Sequence, residues 1–324
     1  MLARLVLAAS VFVVLFAQAQ ADTPAPPRPQ SITGGVWLIP GSFLPDRQPD
    51  GNTIVFDAPG GLIVMDTGRH KWHRQAILDF ARGQNKPIAA IVNSHWHLDH
   101  VSGNPDLRAA YPGLKVYASD AINEALTGFL AKSADDARPY LNDKTLPPDT
   151  LEDLRNDLST TANGKALVPD VVIDRSSTRD LAGRKLAVNL APNAATAGDV
   201  WVYDAKTKIV ASGDLVTLPA PFLDTACPAG WSKALARIDA TPFKTLIPGH
   251  GIPMTHAGFT AYHKAFDALV ACSATTHNAR ECAAGWAHSV KDLLGGSPPA
   301  IGMTAYYVTS VLRAPGGKSA TCKA

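Results

Sequence analysis

What this sequence lacks narrows it first. No lysine or arginine cluster stands out in its 324 residues, and the formal net charge is only +2. Nothing electrostatic therefore prepares it for the phosphates of a nucleic acid. Past residue 21, no apolar run approaches the roughly 20 residues of a membrane-spanning helix. There is no internal repeat of fixed short period. Cysteine is scarce: Cys227, Cys272, Cys282 and Cys322, none in a CxxC pair, so a thiolate zinc site is not indicated. The 25 Gly and 25 Pro are scattered as loop punctuation. With 46% hydrophobic and 18% charged residues, the chain has an ordinary globular composition. It is long enough for one large domain or two modest ones.

The N-terminus reads as a targeting segment. Met1 to Arg4 are a short positive region, and Leu5 to Ala17 (LVLAASVFVVLFA) an apolar one, too short to span comfortably. Small-x-small sites follow at Ala17-Gln18-Ala19 and Ala19-Gln20-Ala21. A signal peptide over residues 1–21 is expected, with a periplasmic or secreted product that keeps no stable membrane anchor. An uncleaved anchor is the alternative. No cysteine sits at the cut to carry a lipid. Export permits disulfides, and four cysteines fit two bridges in any of three connectivities. The short loop favours Cys272–Cys282, leaving Cys227–Cys322 to pin the C-terminus; free thiols remain the alternative.

After a Pro-rich spacer (residues 22–33), "GVWLIP" reads as a strand and "NTIVFDAPGGLIVMDTG" as a hairpin turning at Pro59 to Gly61. "KWHRQAILDFARG" has helical spacing, with Gly83 as its stop. "PIAAIVNS" is a buried strand. Residues 119–160 are helical, broken by Pro139 and Pro147-Pro148. Strands resume in "VVID", "KLAVNL", "DVWVYD" and "KIVASGD", the last two joined by a "DAKTK" turn. "FKTLIPGHG" is a strand leading to a histidine loop, and helices fill residues 256–312.

The chemistry concentrates at the end of "PIAAIVNS". "NSHWHLDHVSGN" holds His95, His97, Asp99 and His100 within six residues. Extended chain repeats every two residues, so His95 and His97 face the same way. Asp99 and His100 begin a new turn and can face a second point. Imidazole and carboxylate suit zinc, and also iron or manganese. A lone loop cannot complete a site. Asp214 in "VASGDLV" and His250 in "LIPGHG", each where a strand yields to a loop, are the distant candidates.

In this order, "MDTG" (Asp66), "SHWHLDH", "GDLV" and "PGHG" make the chain resemble the metallo-β-lactamase-fold hydrolases over roughly residues 35–255. The resemblance implies an α+β, four-layer αββα sandwich with metals at one edge between two sheets. The domain would span residues 34–255, with the helical insertion near 119–160 and a helical extension, 256–324, packed on it. One metal point would use His95, His97 and a third histidine. The other would use Asp99, His100 and His250, with Asp214 bridging and Asp66 holding a ligating histidine.

One position breaks the pattern. The third histidine lies in an AHTxGD-like segment, and here that segment reads Ala194-Ala195-Thr196-Ala197-Gly198-Asp199, with Ala195 at the metal position. A methyl group cannot coordinate. Three readings stay open: one tight Zn2+ at the second point with a weak or absent partner; a substitute ligand among His70, His73 and Asn193; or a catalytically impaired binding protein on the same fold. The first implies hydrolysis of a small ester, thioester, lactone or β-lactam. The metal lowers the pKa of water, and Asp99 and Asp214 orient it. Aspartate at 214, where many lactamases of the family carry cysteine, leans toward esters and thioesters. Trp37, Trp96 and Phe222 are candidate pocket walls.

Overall fold

A computed structural model describes residues 24–322. The segment expected to be a signal peptide lies outside them. Two sheets carry the fold. The first runs in the order β1 (Gln30–Thr33), β2 (Val36–Ile39), β3 (Thr53–Ala58), β4 (Gly61–Met65), β5 (Ile88–Val92), β6 (Lys115–Ala118) and β7 (Val171–Val172). It is antiparallel up to β4 and parallel beyond. The second contains β8 (Ser177–Leu181), β9 (Arg184–Pro192), β10 (Gly198–Asp204), β11 (Ile209–Ala211), β12 (Thr245–Ile247) and β13 (Met254–Thr255), in chain order reversed. Only its β11–β12 pair is parallel.

The helices are α1 (Lys71–Gly83), α2 (Leu98–Val101), α3 (Asn104–Ala110), α4 (Ala121–Thr127), α5 (Phe129–Ala137) and α6 (Pro148–Ala162). They continue with α7 (Pro228–Asp239), α8 (His256–Ser273), α9 (Ala279–Val290) and α10 (Ile301–Tyr307).

Side-chain alternation explains the layering. In β3 and β4, Ile54, Phe56, Ile63 and Met65 point into the core between the sheets, where they meet Val188, Val200 and Val202. Their alternates Val55, Leu62 and Val64 point the other way and pack on Ala76, Ile77 and Leu107 of α1 and α3. Strands buried on both faces read as continuous apolar runs. The outer face of the second sheet is covered by α7 to α10 through Trp231, Phe259, Tyr262, Trp286 and Tyr307. This is the expected αββα sandwich.

Two elements differ from expectation. Residues 30–33, read as spacer, form β1 and pair with β2. "STRDL", unread as a strand, is the exposed edge β8. Both bridges form as favoured, Cys227–Cys322 and Cys272–Cys282. Among the described residues no helix is long and apolar enough to cross a membrane.

Candidate metal centre

Strand ends bring the candidate residues together. β5 stops at Val92 and delivers His95 and His97; Asp99 and His100 lie in α2, with His97 at its N-cap. Asp214 sits in a 3-10 turn just past β11, and His250 follows β12. The histidine loop is held by Asn52, whose Nδ2 donates to the carbonyls of Pro248 and Gly251, both at 2.9 Å. Close approach needs glycine at two points. A Cβ on Gly249 would stand 2.1 Å from Asp214 Oδ1, and one on Gly51 would stand 2.3 Å from His100 Cε1.

At the second point the donor atoms of Asp99, His100 and His250 converge, with Asp214 beside them. His250 Nε2 lies 2.9 Å from Asp99 Oδ2, 3.2 Å from His100 Nε2 and 3.6 Å from Asp214 Oδ1. His100 Nε2 lies 3.2 Å from Asp214 Oδ1. Ligands about 2.0 Å from a tetrahedral zinc are roughly 3.3 Å apart, so these spacings suit one ion. Asp214 Oδ1 is buried and makes no hydrogen bond, as a carboxylate oxygen reserved for a cation would be. Asp99–His100–His250 and His95–His100–Asp214 each form a group able to hold a metal. The residues present fit the ion at the second point. At the first, His95 Nε2 and His97 Nδ1 are 2.8 Å apart and Asp214 Oδ2 is 3.7 Å from His95 Nε2.

Asp66 organises the histidines. Its Oδ2 accepts from His100 Nδ1 at 2.8 Å and from Ser94 Oγ at 2.6 Å. A carboxylate only accepts, so the Ser94 proton is committed and Ser94 Oγ must accept from His95 Nδ1 at 2.9 Å. That leaves His95 Nε2 bare toward the metal point. Asp66 adopts φ +63 to do this, a conformation rarely held by a non-glycine residue.

Burial would raise Asp99, but His100 and His250 hold its carboxyl well below the usual range. Burial likewise opposes the His100, His250 and His95 charges that hold Asp214 down. Burial would lower His100, yet Asp214, Asp99 and Asp66 raise it well above its ordinary value. Burial pushes His97 down to about 4.

Residues 47–250 match the sequence profile described as "Metallo-beta-lactamase superfamily". The chain belongs to that superfamily. A relative named linear primary-alkylsulfatase, from Pseudomonas sp., is 25% identical over 222 residues, 62% of this chain and 41% of the relative. The chain thus spans well under half the length of that curated relative. Among solved structures, a mutant of the sec-alkyl sulfatase PisA1 superposes with a TM-score of 0.59 at 17% identity, covering 87% of this chain and 50% of that one. A metallo-β-lactamase from Pontibacter korlensis gives 0.53 at 20% identity, covering 73% and 96%. At these identities the structural likeness speaks for the fold alone.

Of the three substitutes considered for the ligand missing at Ala195, His70 and His73 have other partners. His70 is held between two carboxylates, Nδ1 2.8 Å from Asp50 Oδ2 and Nε2 3.0 Å from Asp153 Oδ1. His73 Nε2 lies 2.8 Å from Thr53 Oγ1. Asn193 lines a separate cavity of about 640 Å3 beside Cys227 and Lys233, which includes none of the metal-centre residues. What lies beside Ala195 is Thr225, whose hydroxyl is 2.9 Å from the Ala195 carbonyl and 3.1 Å from His97 Nε2. Nothing in the spacing of the sequence pointed to Thr225 or Asn52. Ser94 was visible only as the residue before His95.

The candidate metal centre floors a cleft of about 520 Å3 that includes His97, Asp99, Asp214 and His250. Its walls are mostly apolar. Phe129 and Leu130 come from α5, Leu154 and Leu158 from α6, and Leu218 and Phe222 from the loop after Asp214. Of the three aromatic walls expected, only Phe222 lines it, its ring edge-on to His97 at 5.1 Å. Trp37 packs on Phe80 outside the first sheet, and Trp96 is buried against Phe129. Both aromatics fill hydrophobic cores instead.

Charge clamps the insertion over the cleft. Arg47 pairs with Asp149, Glu152 and Asp153 of α6. Arg69 bonds Asp157 of α6 and reaches within 3.8 Å of Asp99.

Proposed function

We propose that this chain is an exported, metal-dependent hydrolase of small esters carrying an apolar arm. Its tight cation is held by Asp99, His100 and His250 with Asp214 in support, and its first point is incomplete. The observation that carries this reading is the convergence of three buried donor atoms, from Asp99, His100 and His250, on the floor of an apolar cleft, with Asp214 Oδ1 beside them at 3.2 Å from His100 Nε2 and 3.6 Å from His250 Nε2. The two disulfides support export. A divalent cation, zinc by its donor set with iron or manganese as alternatives, supplies Lewis acidity that activates water and polarises the bond under attack.

The protein's own groups do the rest. Asp214 and Asp99 accept hydrogen bonds from the attacking water and hold it against the substrate. Asp99 takes up or delivers the proton at its carboxylate. Arg69, 3.8 Å from Asp99 Oδ1, keeps that carboxylate turned to the centre. Phe129, Leu158 and Phe222 exclude bulk water and seat the apolar arm. Relatives named alkylsulfatases put sulfate esters beside carboxylic esters, thioesters and lactones as substrates, with β-lactams behind.

The absent histidine at Ala195 favours a second reading, a binding protein that has lost turnover. Metal analysis with a hydrolysis panel separates the two. The panel holds alkyl sulfates, carboxylic esters, thioesters, lactones and a β-lactam. The expected result is about one tight metal per chain, chelator-sensitive turnover, and a rate that rises with the length of the apolar arm. Metal-loaded protein that binds the panel without turnover establishes the second reading.

A further inference from the structure

The first metal point has two histidines where the pattern that the chain resembles has three, and those two stand together, His95 Nε2 2.8 Å from His97 Nδ1. The reason lies at Thr225, which is buried at 2% exposure on the loop between Asp214 and α7. Its single hydroxyl proton goes to the Ala195 carbonyl, which can only accept, at 2.9 Å. The same oxygen stands 3.1 Å from His97 Nε2. With its proton spent, the hydroxyl can only accept there, so the neutral ring must carry its proton on Nε2. His97 Nδ1 is then bare, 2.8 Å from His95 Nε2. Ser94 has already stripped that nitrogen.

We propose that Thr225 is a positioning residue: bonded across Ala195 and His97, it fixes His97 as the Nε2–H tautomer and presents Nδ1 to the first metal point. Thr225 is not a ligand, since it meets the nitrogen turned away from His95. The backbone fixes it from both sides. The Cys227 amide donates to the Ala194 carbonyl at 2.8 Å, and the Cys227–Cys322 bridge ties the loop to the C-terminus. The segment that lost the histidine is thus the segment that anchors its neighbour. This inference rests on the metal-centre reading but not on hydrolysis.

The test starts with the metal-free wild type, where long-range 1H–15N correlation spectra report the tautomer of each histidine and His97→Gln assigns the His97 signals. The expected result is His97 protonated on Nε2. Finding the proton on Nδ1 overturns the proposal without any Thr225 variant. Thr225→Val should release the tautomer, and Thr225→Ser should restore it. Competition titration with zinc and a chelator should show the tight equivalent held alike by all three proteins. The second equivalent should weaken about 10-fold or more in Thr225→Val, the scale typical for an outer partner of a metal ligand, and recover in Thr225→Ser. A second equivalent unchanged in Thr225→Val, or both equivalents weakened together, overturns the proposal.

Discussion

His250 and His95 bear unequal loads in the proposed ligand set. His250 Nε2 sits within 3.6 Å of three other donors, while His95 belongs to the point that lacks its third histidine. Losing an outer partner of a metal ligand costs about 10–100-fold, and losing a ligand should cost more. His250→Ala should therefore abolish the tight metal and the hydrolysis together, whereas His95→Ala should keep one metal per chain and activity within about tenfold. Equal losses in metal analysis and rate would show that the two points depend on each other and would overturn the split in affinity. Gly51→Ala tests the packing around the same ion. A methyl 2.3 Å from His100 Cε1 must push the ring off Asp66, so stability should fall by about 1–3 kcal/mol and metal affinity with it. Urea unfolding with and without zinc measures both. Six of these donors were legible in the sequence because their chemistry is concentrated and their order is distinctive, and the absent one at Ala195 was legible for the same reason. Thr225, Asn52 and Ser94 act through pairs of hydrogen bonds, most of them to residues distant in the chain, which leave no periodic or compositional trace.

Of the two helices that wall the cleft, α6 is held by charge. Among the residues of α6 only Asp153 is buried. Leu154 and Leu158 line the cleft, and so do Asp157, Arg47 and Arg69, while Asp149, Glu152, Asp153 and Asp157 grip Arg47, His70 and Arg69. Both ring nitrogens of His70 face carboxylates, so only the imidazolium donates to each. Burial would lower His70, but Asp153 and Asp50 raise it above its ordinary 6.5. Burial would raise Asp50, but the His70 bond and the charges of His73 and His70 bring it from 3.8 down to about 2. The signs follow by linkage. The His70 contribution is intact below pH 6.5 and fades as pH rises through its raised value. The Asp50 contribution, about 2 kcal/mol at 1.36 kcal/mol per unit, is intact above pH 3.8 and fades as pH falls toward 2. Unfolding measured from pH 6 upward should show the wild type losing stability and His70→Gln starting lower with a flatter profile. Hydrogen exchange should be faster in residues 148–162 of that variant. Identical profiles would remove His70 from the latch. The helices of the insertion were readable from their prolines and periodicity, but not what fastens them. β1 and β8 escaped notice because one follows a Pro-rich stretch and the other, "STRDL", is a polar edge strand without apolar alternation.

The molecule as a whole does not end at its last metal-centre strand. Phe259, Tyr262, Phe266, Trp286 and Tyr307 of α8 to α10 share one core with Val210 and Leu246 of the second sheet and with Trp231 of α7. Burying five such side chains is worth roughly 1.5–3 kcal/mol each, a sum comparable to the 5–15 kcal/mol that stabilises a typical domain. The same helices touch the loop behind the metal centre. Tyr262 Oη accepts from the Thr217 amide at 3.1 Å, and Trp286 Nε1 donates to the Pro219 carbonyl at 2.8 Å. A chain cut after Thr255 should therefore fail to fold, and residues 256–324 alone should not fold cooperatively. The sequence showed these helices as an extension; it could not show that they form the outer layer of the sandwich, because a shared core is a property of contacts distant in the chain. The disulfides give the sharper test. Closing loops of 95 and 10 residues stabilises by about 5 and about 3 kcal/mol in the chain-entropy account. The paired variant Cys227→Ser with Cys322→Ser should thus lose more stability than Cys272→Ser with Cys282→Ser. The two should also differ in kind. Cys227 lies two residues from Thr225 and next to the segment that holds Ala195, so opening the long bridge should weaken the second metal equivalent, while opening the short one should not. Equal metal binding by both variants, each folded by circular dichroism, would show that the long bridge stabilises the chain without steering the metal centre.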